Sequence, residues 1–475
     1  MTYEPVIGLE VHLQLNTWTK AFCGCSTAFG APANTQVCPV CMGFPGTLPV
    51  LNKKMLEFAV KVGVTLNCTV QEFTKLDRKN YFYPDLPKAY QISQYDLPLC
   101  TKGYLDIELE GKPKRVGITR VHMEEDAGKL IHQASASMVD YNRTGVPLLE
   151  IVSEPDMRSP REAYAYLTAL KSMVGYLDVS DCDMEKGSLR CDANISLRPA
   201  GEEAFGTKTE LKNLNSFRAV RDALAFEISR QQEVLREGGR IVQETRLWDA
   251  KALKTLPMRT KEEAQDYRYF PEPDLPPFVV SRRMVEDVRA GLPELPRERA
   301  KRLSGEFGIS GADALVLVGS RRDAEFAEEC LKAYGAPDKK AVVNWLTGPL
   351  AAEANNRNCC ISELNISAAA LAGLIGFVNR QEISNLSAKK VLVEMIDSGK
   401  PAEQIIKEKN LAQISDSSAL EAIIDEVLKE HTKSVTDFRN GKTNALMFLV
   451  GQVMRQSRGK ANPKVVQDLI KRRIA

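Results

Sequence analysis

The sequence predicts an α+β protein, strand-rich over its first 292 residues and helical from there to the end. Three observations carry this reading. Apolar and polar residues alternate from Ile7 to Leu15 and again from Ser188 to Leu197, the period of a half-buried strand. Prolines then cluster from Pro271 to Pro277 and in Leu292-Pro293-Glu294-Leu295-Pro296, which breaks the pattern. Beyond Pro296 the apolar period becomes helical, as in the face Leu420, Ile423, Ile424, Val427 and Leu428 that follows the capping box Ser418-Ala419-Leu420-Glu421.

Two helices interrupt the strands. Ser159-Pro160-Arg161-Glu162 is a capping box with proline at the first helical position, followed by Ala163, Leu167, Leu170 and Val174 on one face. The second carries Phe217, Val220, Leu224, Ile228 and Leu235 and stops at Gly238-Gly239. Further on, a helix from Ser387 to Ser398 ends at Gly399 and Pro401, and a break follows near Asn410 to Ser418. The expected domains are therefore 1–292, 293–412 and 413–475. No fixed-period repeat or low-complexity tract is present.

Composition sets outer limits. With 44% apolar and 27% charged residues the chain reads as globular. No apolar run approaches the ~18 residues of a membrane span, and MTYEPVIGLEV lacks a cationic, then apolar, leader. A cytoplasmic protein without a membrane partner is expected. Eleven cysteines, an odd number in a large chain without a leader, point to metal binding or burial and not to a disulfide framework. Cys68, Cys100, Cys182, Cys191, Cys330 and the Cys359-Cys360 pair read as buried apolar residues. Net charge is only +2, yet from His431 onward ten lysines and arginines face two aspartates. Such a run is either a solvated helical face or a phosphate-binding surface.

Cys23-Gly-Cys25 and Cys38-Pro-Val-Cys41 place four thiols in one short window. Two chelating loops closed by a turn suit tetrahedral Zn²⁺, and four thiolates leave no open position, so the role is structural. Acids also recur on strand faces. Glu10 and His12 share one face; Glu124, Glu125 and Asp126 follow one another; Glu150 and Glu154 lie on one side of an otherwise apolar strand. Arg190, Asp192 and Asn194 share a third face, and Lys208, Glu210 and Lys212 a fourth. Each alone fits a solvated outer face; together they suit Mg²⁺ holding a triphosphate. Gly441-Lys442-Thr443 ends like a phosphate loop, but Thr436 stands where its first glycine belongs. No dinucleotide fingerprint, serine elbow or nucleophile motif occurs. ATP, if used, must sit on a sheet-borne metal site, and ammonia, if used, must come from another chain.

Longer strings carry a resemblance. Val6–His12 (VIGLEVH), Asp77–Asp85 (DRKNYFYPD), Pro87–Gln94 (PKAYQISQ), Arg120–Lys129 (RVHMEEDAGK), Glu150–Asp156 (EIVSEPD), Gly187–Asn194 (GSLRCDAN) and Asp266–Asp274 (DYRYFPEPD) resemble the B subunits of the aspartyl/glutamyl-tRNA amidotransferases. So do Lys208–Phe217 and, near the end, Phe448–Met454 and Ala461-Asn462-Pro463. The resemblance implies a mainly antiparallel cradle like that of glutamine synthetase, then all-helical middle and tail domains. It implies that ATP phosphorylates the side-chain carboxylate of Glu on tRNA(Gln) or Asp on tRNA(Asn). Ammonia, released from glutamine by an amidase A subunit, then displaces phosphate, and a small C subunit braces the pair. It implies Mg²⁺ at Glu10, His12, Glu125 and Glu150. Arg190, Lys79 and Lys208 are assigned to phosphate or substrate-carboxylate contacts, and Glu124, Asp192 and Glu210 to cofactor binding. The cysteine quartet is expected to hold Zn²⁺, as in some members, and the basic tail to meet the tRNA body. A free-standing amine ligase would not need that tail, and a zinc-bearing RNA scaffold would leave the strand carboxylates without a role.

Overall fold

The computed structural model describes residues 2–133, 135–260, 266–412, 417–440, 442–457, 461 and 463–474. Gly441 of the phosphate-loop-like string, Arg458, Lys460 and Asn462 lie outside them, as do the side chains of Ser418 and Lys464. The chain forms two compact units, Met1–Glu294 and Leu295–Ala475.

The first unit is built on a nine-stranded sheet among the described residues. Its strands are β1 (Tyr3–Gln14), β2 (Thr69–Val70), β3 (Cys100–Leu109), β4 (Lys112–Glu125), β5 (Pro147–Ser153), β6 (Leu189–Pro199), β7 (Thr209–Lys212), β8 (Glu244–Asp249) and β9 (Lys254–Thr260), in the order β9-β8-β7-β6-β1-β5-β4-β3-β2. Neighbours run antiparallel except β7 and β8. Those two are joined by a helix, the crossover that a parallel pair requires.

Alternation decides which face is covered. Ile7, Leu9, Val11 and Leu13 of β1 are fully buried. On that side lie three helices: α1 (Lys53–Thr65) against β4, α2 (Pro160–Tyr176) against β3, and α3 (Phe217–Arg236) against β6. The even-numbered residues of β1 face the other way and are left for chemistry. The helix signals act as expected. The Ser159 hydroxyl accepts the Glu162 amide at 3.2 Å, while the Glu162 carboxylate reaches back to the Arg158 amide at 2.7 Å. Gly238 takes a left-handed φ of 77°, and the Gly239 amide returns to the Val234 carbonyl at 2.9 Å, which ends α3.

The second unit is helical. Asn385–Ser398 is capped by Ser384 and stopped by Gly399 at φ 70°. The last helices, Ser417–Glu430, Thr432–Arg439, Thr443–Gln456 and Pro463–Ile474, share a core of Leu420, Ile424, Val427, Leu449, Val453, Val466 and Ile470. Lys442 pairs with Asp437 at 2.9 Å. Cys360 is exposed and Cys359 half-buried, which corrects the expectation of burial; both sit in a short turn after Asn356. Among the described residues no helix is long and apolar enough to cross a membrane.

Glu328 lies within 2.9 Å of Arg299, 2.8 Å of Arg302 and 2.7 Å of Lys332. Arg302 foremost, these cations outweigh burial and hold the carboxyl at about 2. A folded value below the unfolded one stabilises fully above about pH 4.5, and that stability is lost as pH falls toward 2. Glu328→Gln is therefore expected to cost about 2 kcal/mol at neutral pH and to flatten the acid limb of unfolding, as read by circular dichroism melts along a pH series.

Candidate active site

The open face of the sheet brings polar residues into one row because the strands are in register. His12 is opposite Glu150 on one side and Arg190 on the other; Glu10 is opposite Asp192; Glu150 is opposite His122. The His12 imidazole Nε2 lies 3.4 Å from Glu150 and 3.7 Å from both Glu10 and Glu124. The His122 Nε2 lies 3.6 Å from Glu150 and 3.7 Å from Glu124. Glu150 thus stands between two triads, Glu10–His12–Glu150 and His122–Glu124–Glu150, each with donor atoms close enough to share one metal ion.

Apart from its histidines the cluster has little positive charge. Glu150 is 6% and Glu124 2% exposed, and Arg120 lies 3.3 Å from Glu150. Burial disfavours a charged His12, yet Glu150, Glu124 and Glu10 outweigh it and push the imidazole up to about 9. Burial and the charge of Glu150 raise Glu10. Against burial, the two histidines hold Glu124 and Glu150 low. Beside the cluster, fully buried Asp126 accepts Gln14 at 2.6 Å and Arg190 at 2.8 Å, with Arg143 at 3.7 Å. Among the described residues the buried Arg190 Nε, His122 Nδ1 and Asn194 Oδ1 have no hydrogen-bond partner. Such a face suits a divalent cation and a charged ligand.

A family profile described as the GatB/GatE catalytic domain matches residues 5–286, and one described as the GatB domain matches 325–474. Similar curated proteins cover the whole chain. One from Carboxydothermus hydrogenoformans is 55% identical over 100% of this chain and 99% of its own. One from Thermoanaerobacter sp. (strain X514) is 55% identical over all of both chains, and one from Geobacter sulfurreducens 54%. All three are named as the B subunit of an aspartyl/glutamyl-tRNA(Asn/Gln) amidotransferase. The chain belongs to the GatB family.

In this GatB-family chain the expected residues fall into three groups. Glu10, His12, Glu150 and Glu124 meet in the cluster. Asp192 and Glu210 lie farther along the same face, where Lys212 holds them at 2.8 and 3.3 Å. Lys208 is exposed there and lines a hollow with Gly8 and Asn194. Arg190 borders the cluster through Asp126, whereas Lys79 lies 4.9 Å from the ring centre of Tyr267.

Glu125 is a correction. Adjacent strand residues point to opposite sides, so the turn from Glu124 to Glu125 carries the second carboxylate away from His12. It pairs instead with the buried Lys88 ammonium and accepts the Ile92 amide at 2.9 Å. There it lines a cavity of about 70 Å³ with Lys20, Cys23 and Cys41. Glu154 is also turned aside. A bulge between Val152 and Ser153 shifts the register, and its carboxylate takes the Thr119 hydroxyl at 2.8 Å. His122, Arg120 and Asp126 were not assigned roles from sequence. Parity alone places His122 and Arg120 beside Glu124, but Asp126 follows the strand end and gave no such signal.

The four cysteines converge, their sulfurs within 4.8 Å of one another. The Cys38 amide donates to the Cys41 sulfur at 3.2 Å, and Gly43, at φ 71°, closes the turn. Cys23, by hydrogen bond, lowers Cys41 to about 4 against burial, with the Cys38 amide and Lys20 contributing. A soft, thiolate-rich donor set of this kind fits Zn²⁺.

Proposed function

We infer that this chain is the B subunit of a glutamine-dependent tRNA amidotransferase, the component that activates misacylated Glu-tRNA(Gln) or Asp-tRNA(Asn) with ATP. It is a carbon–nitrogen ligase subunit. The sheet is the floor of a glutamine-synthetase-like cradle. Its partners are the amidase A subunit, a small C subunit and the charged tRNA. The single observation that carries this reading is the placement of Glu150 between His12 and the His122–Glu124 pair.

A carboxylate does not accept ammonia directly, because its leaving group would be oxide. Phosphorylation by ATP gives an acyl phosphate with a good leaving group, which ammonia then displaces. Glu10, His12, Glu124 and Glu150 would hold Mg²⁺, with His122 beside them; the ion, when bound, would offset charge on the γ-phosphate. Arg120 keeps one end of Glu150 fixed. Asp126 keeps Arg190 turned to the same face, where its remaining N–H groups offset charge as the substrate carboxylate approaches. Lys79 and Lys208 are retained as peripheral contacts for anionic groups, and Asp192 and Glu210 as outer groups that position Lys212. The cysteine quartet would hold Zn²⁺ and brace the loop around Cys41.

The test is ATP turnover by the assembled complex without glutamine. Turnover with Glu-tRNA(Gln) or Asp-tRNA(Asn), and none with uncharged tRNA or free amino acid, is the expected result. Equal turnover with a free amino acid overturns the reading in favour of a small-acid ligase. The tail adds a second measurement. Arg473 is already engaged by Asp425 at 3.0 Å and Glu421 at 3.3 Å. Changing Lys471 and Arg472 to glutamine is therefore expected to weaken tRNA binding several-fold at low salt and much less at high salt, and Arg473→Gln to do less. Filter binding at two ionic strengths checks it.

A further inference from the structure

A small three-stranded sheet, Phe270–Pro271, Asp77–Asn80 and Tyr90–Ser93, lies against the end of β4. Ser93 donates to Glu124 at 3.3 Å, and Gln94 accepts the Met123 amide at 2.9 Å. Four tyrosines in contact flank this sheet: Tyr81 and Tyr95 just beyond two of its strands, Tyr267 and Tyr269 just before the third. Tyr95 stacks on Tyr269, with centres 4.4 Å apart and planes at 11°. Tyr269 meets Tyr267 edge-on, and Tyr267 meets Tyr81. Lys79 sits over the Tyr267 ring. Tyr95 follows two residues after Ser93, whose hydroxyl donates to Glu124, so the array begins beside the acidic cluster. Packing does not account for this array, because Tyr95 is 62% exposed and Phe82 and Tyr83 continue the exposed aromatic run.

We propose that Tyr95, stacked on Tyr269 in an array whose Tyr267 ring carries Lys79, is the platform on which the 3′-terminal nucleoside of the aminoacylated RNA stacks. The inference rests on the activity read above. The reacting carboxylate belongs to an amino acid esterified to the ribose of that nucleoside, so its base is tethered to the reacting group by no more than one amino acid and one ribose. Flat aromatic faces with an adjacent cation are the usual recognition surface for unpaired bases. Several exposed aromatic residues in succession suit the end of a strand better than the single adenine of ATP, which needs one enclosed slot.

The experiment uses the complete three-subunit complex and an acceptor-stem RNA carrying 2-aminopurine at its 3′ end, without ATP. Binding to the unaltered complex is expected to quench the fluorescence. Tyr95→Ala should remove most of the quench and weaken RNA binding about ten-fold, with the KM for ATP unchanged, while Tyr95→Phe and Tyr95→Trp retain both. An unchanged quench in Tyr95→Ala overturns the proposal, and so does a Tyr95→Phe variant as impaired as Tyr95→Ala. A raised KM for ATP with RNA binding intact would assign the ring to ATP instead. A Glu150→Gln complex separates the two readings. It should still quench, because stacking requires no phosphoryl transfer, so failure of the metal assignment leaves this result standing.

Discussion

Glu150→Gln is expected to reduce tRNA-dependent ATP turnover at least about a thousand-fold, while the complex stays assembled and still hydrolyses glutamine. Glu150 is the residue common to both triads, so its loss removes a ligand from either arrangement at once. It also supplies the contacts that, after burial, count most in the charge state of His12. Glutamine keeps the volume and the hydrogen bond from Arg120, so a folding defect would not mimic the result; the melting temperature checks this. Turnover within ten-fold of the unaltered complex would falsify the metal assignment. The pair Glu124 and Glu125 sharpens the test. Glu124→Gln should follow Glu150→Gln with little loss of stability. Glu125→Gln leaves the Lys88 ammonium buried without a charge partner, and should instead cost about 3–5 kcal/mol of stability.

Cys41→Ser carries the second large effect. Unaltered protein is expected to contain about one zinc ion per chain, and the variant almost none. Cys41 is the buried member of the quartet and takes both the Cys38 amide and, at 3.6 Å, the Lys20 ammonium. A hydroxyl there provides neither a thiolate nor a charged partner for that lysine. Structural zinc contributes on the order of 10 kcal/mol to small zinc domains. Here the loop around Cys23 and Cys41 also hydrogen-bonds the main structure, so a local opening is expected in place of global unfolding. Hydrogen exchange should show it at residues 20–45, among them Ala21, whose amide donates to the Gly145 carbonyl. Full protection there in zinc-free protein would remove the structural role.

Much of this was legible in the residues, for identifiable reasons. The alternation in β1 and β6 sets which side chains face the core, and so puts Glu10, His12, Arg190 and Asp192 on one side. The cap at Ser159 and the stop at Gly399 acted as local signals because they involve only neighbouring backbone groups. The cysteine quartet was likewise readable from spacing. What escaped was set by long-range pairing. The bulge after Val152 depends on β4, which no local pattern reveals, and it redirects Glu154. Glu125 shows a different lapse. A motif of consecutive acids marks a region, yet strand parity splits it, and parity had to be counted from His122. The tyrosine array joins residues 81, 95, 267 and 269, which are brought together only by the small sheet.

The position of β1 has a consequence for biogenesis. Both of its neighbours, Pro147–Ser153 and Leu189–Pro199, are translated long after it. At ordinary elongation rates of about 5–20 residues per second, the strand waits roughly ten seconds or more for its second edge to be covered. During that interval a nascent ribbon with one greasy side and two bare edges hangs outside the ribosome. Stalled or truncated messages ending before residue 189 should therefore yield aggregates or chaperone-bound fragments, whereas chains released after 294 carry a complete sheet.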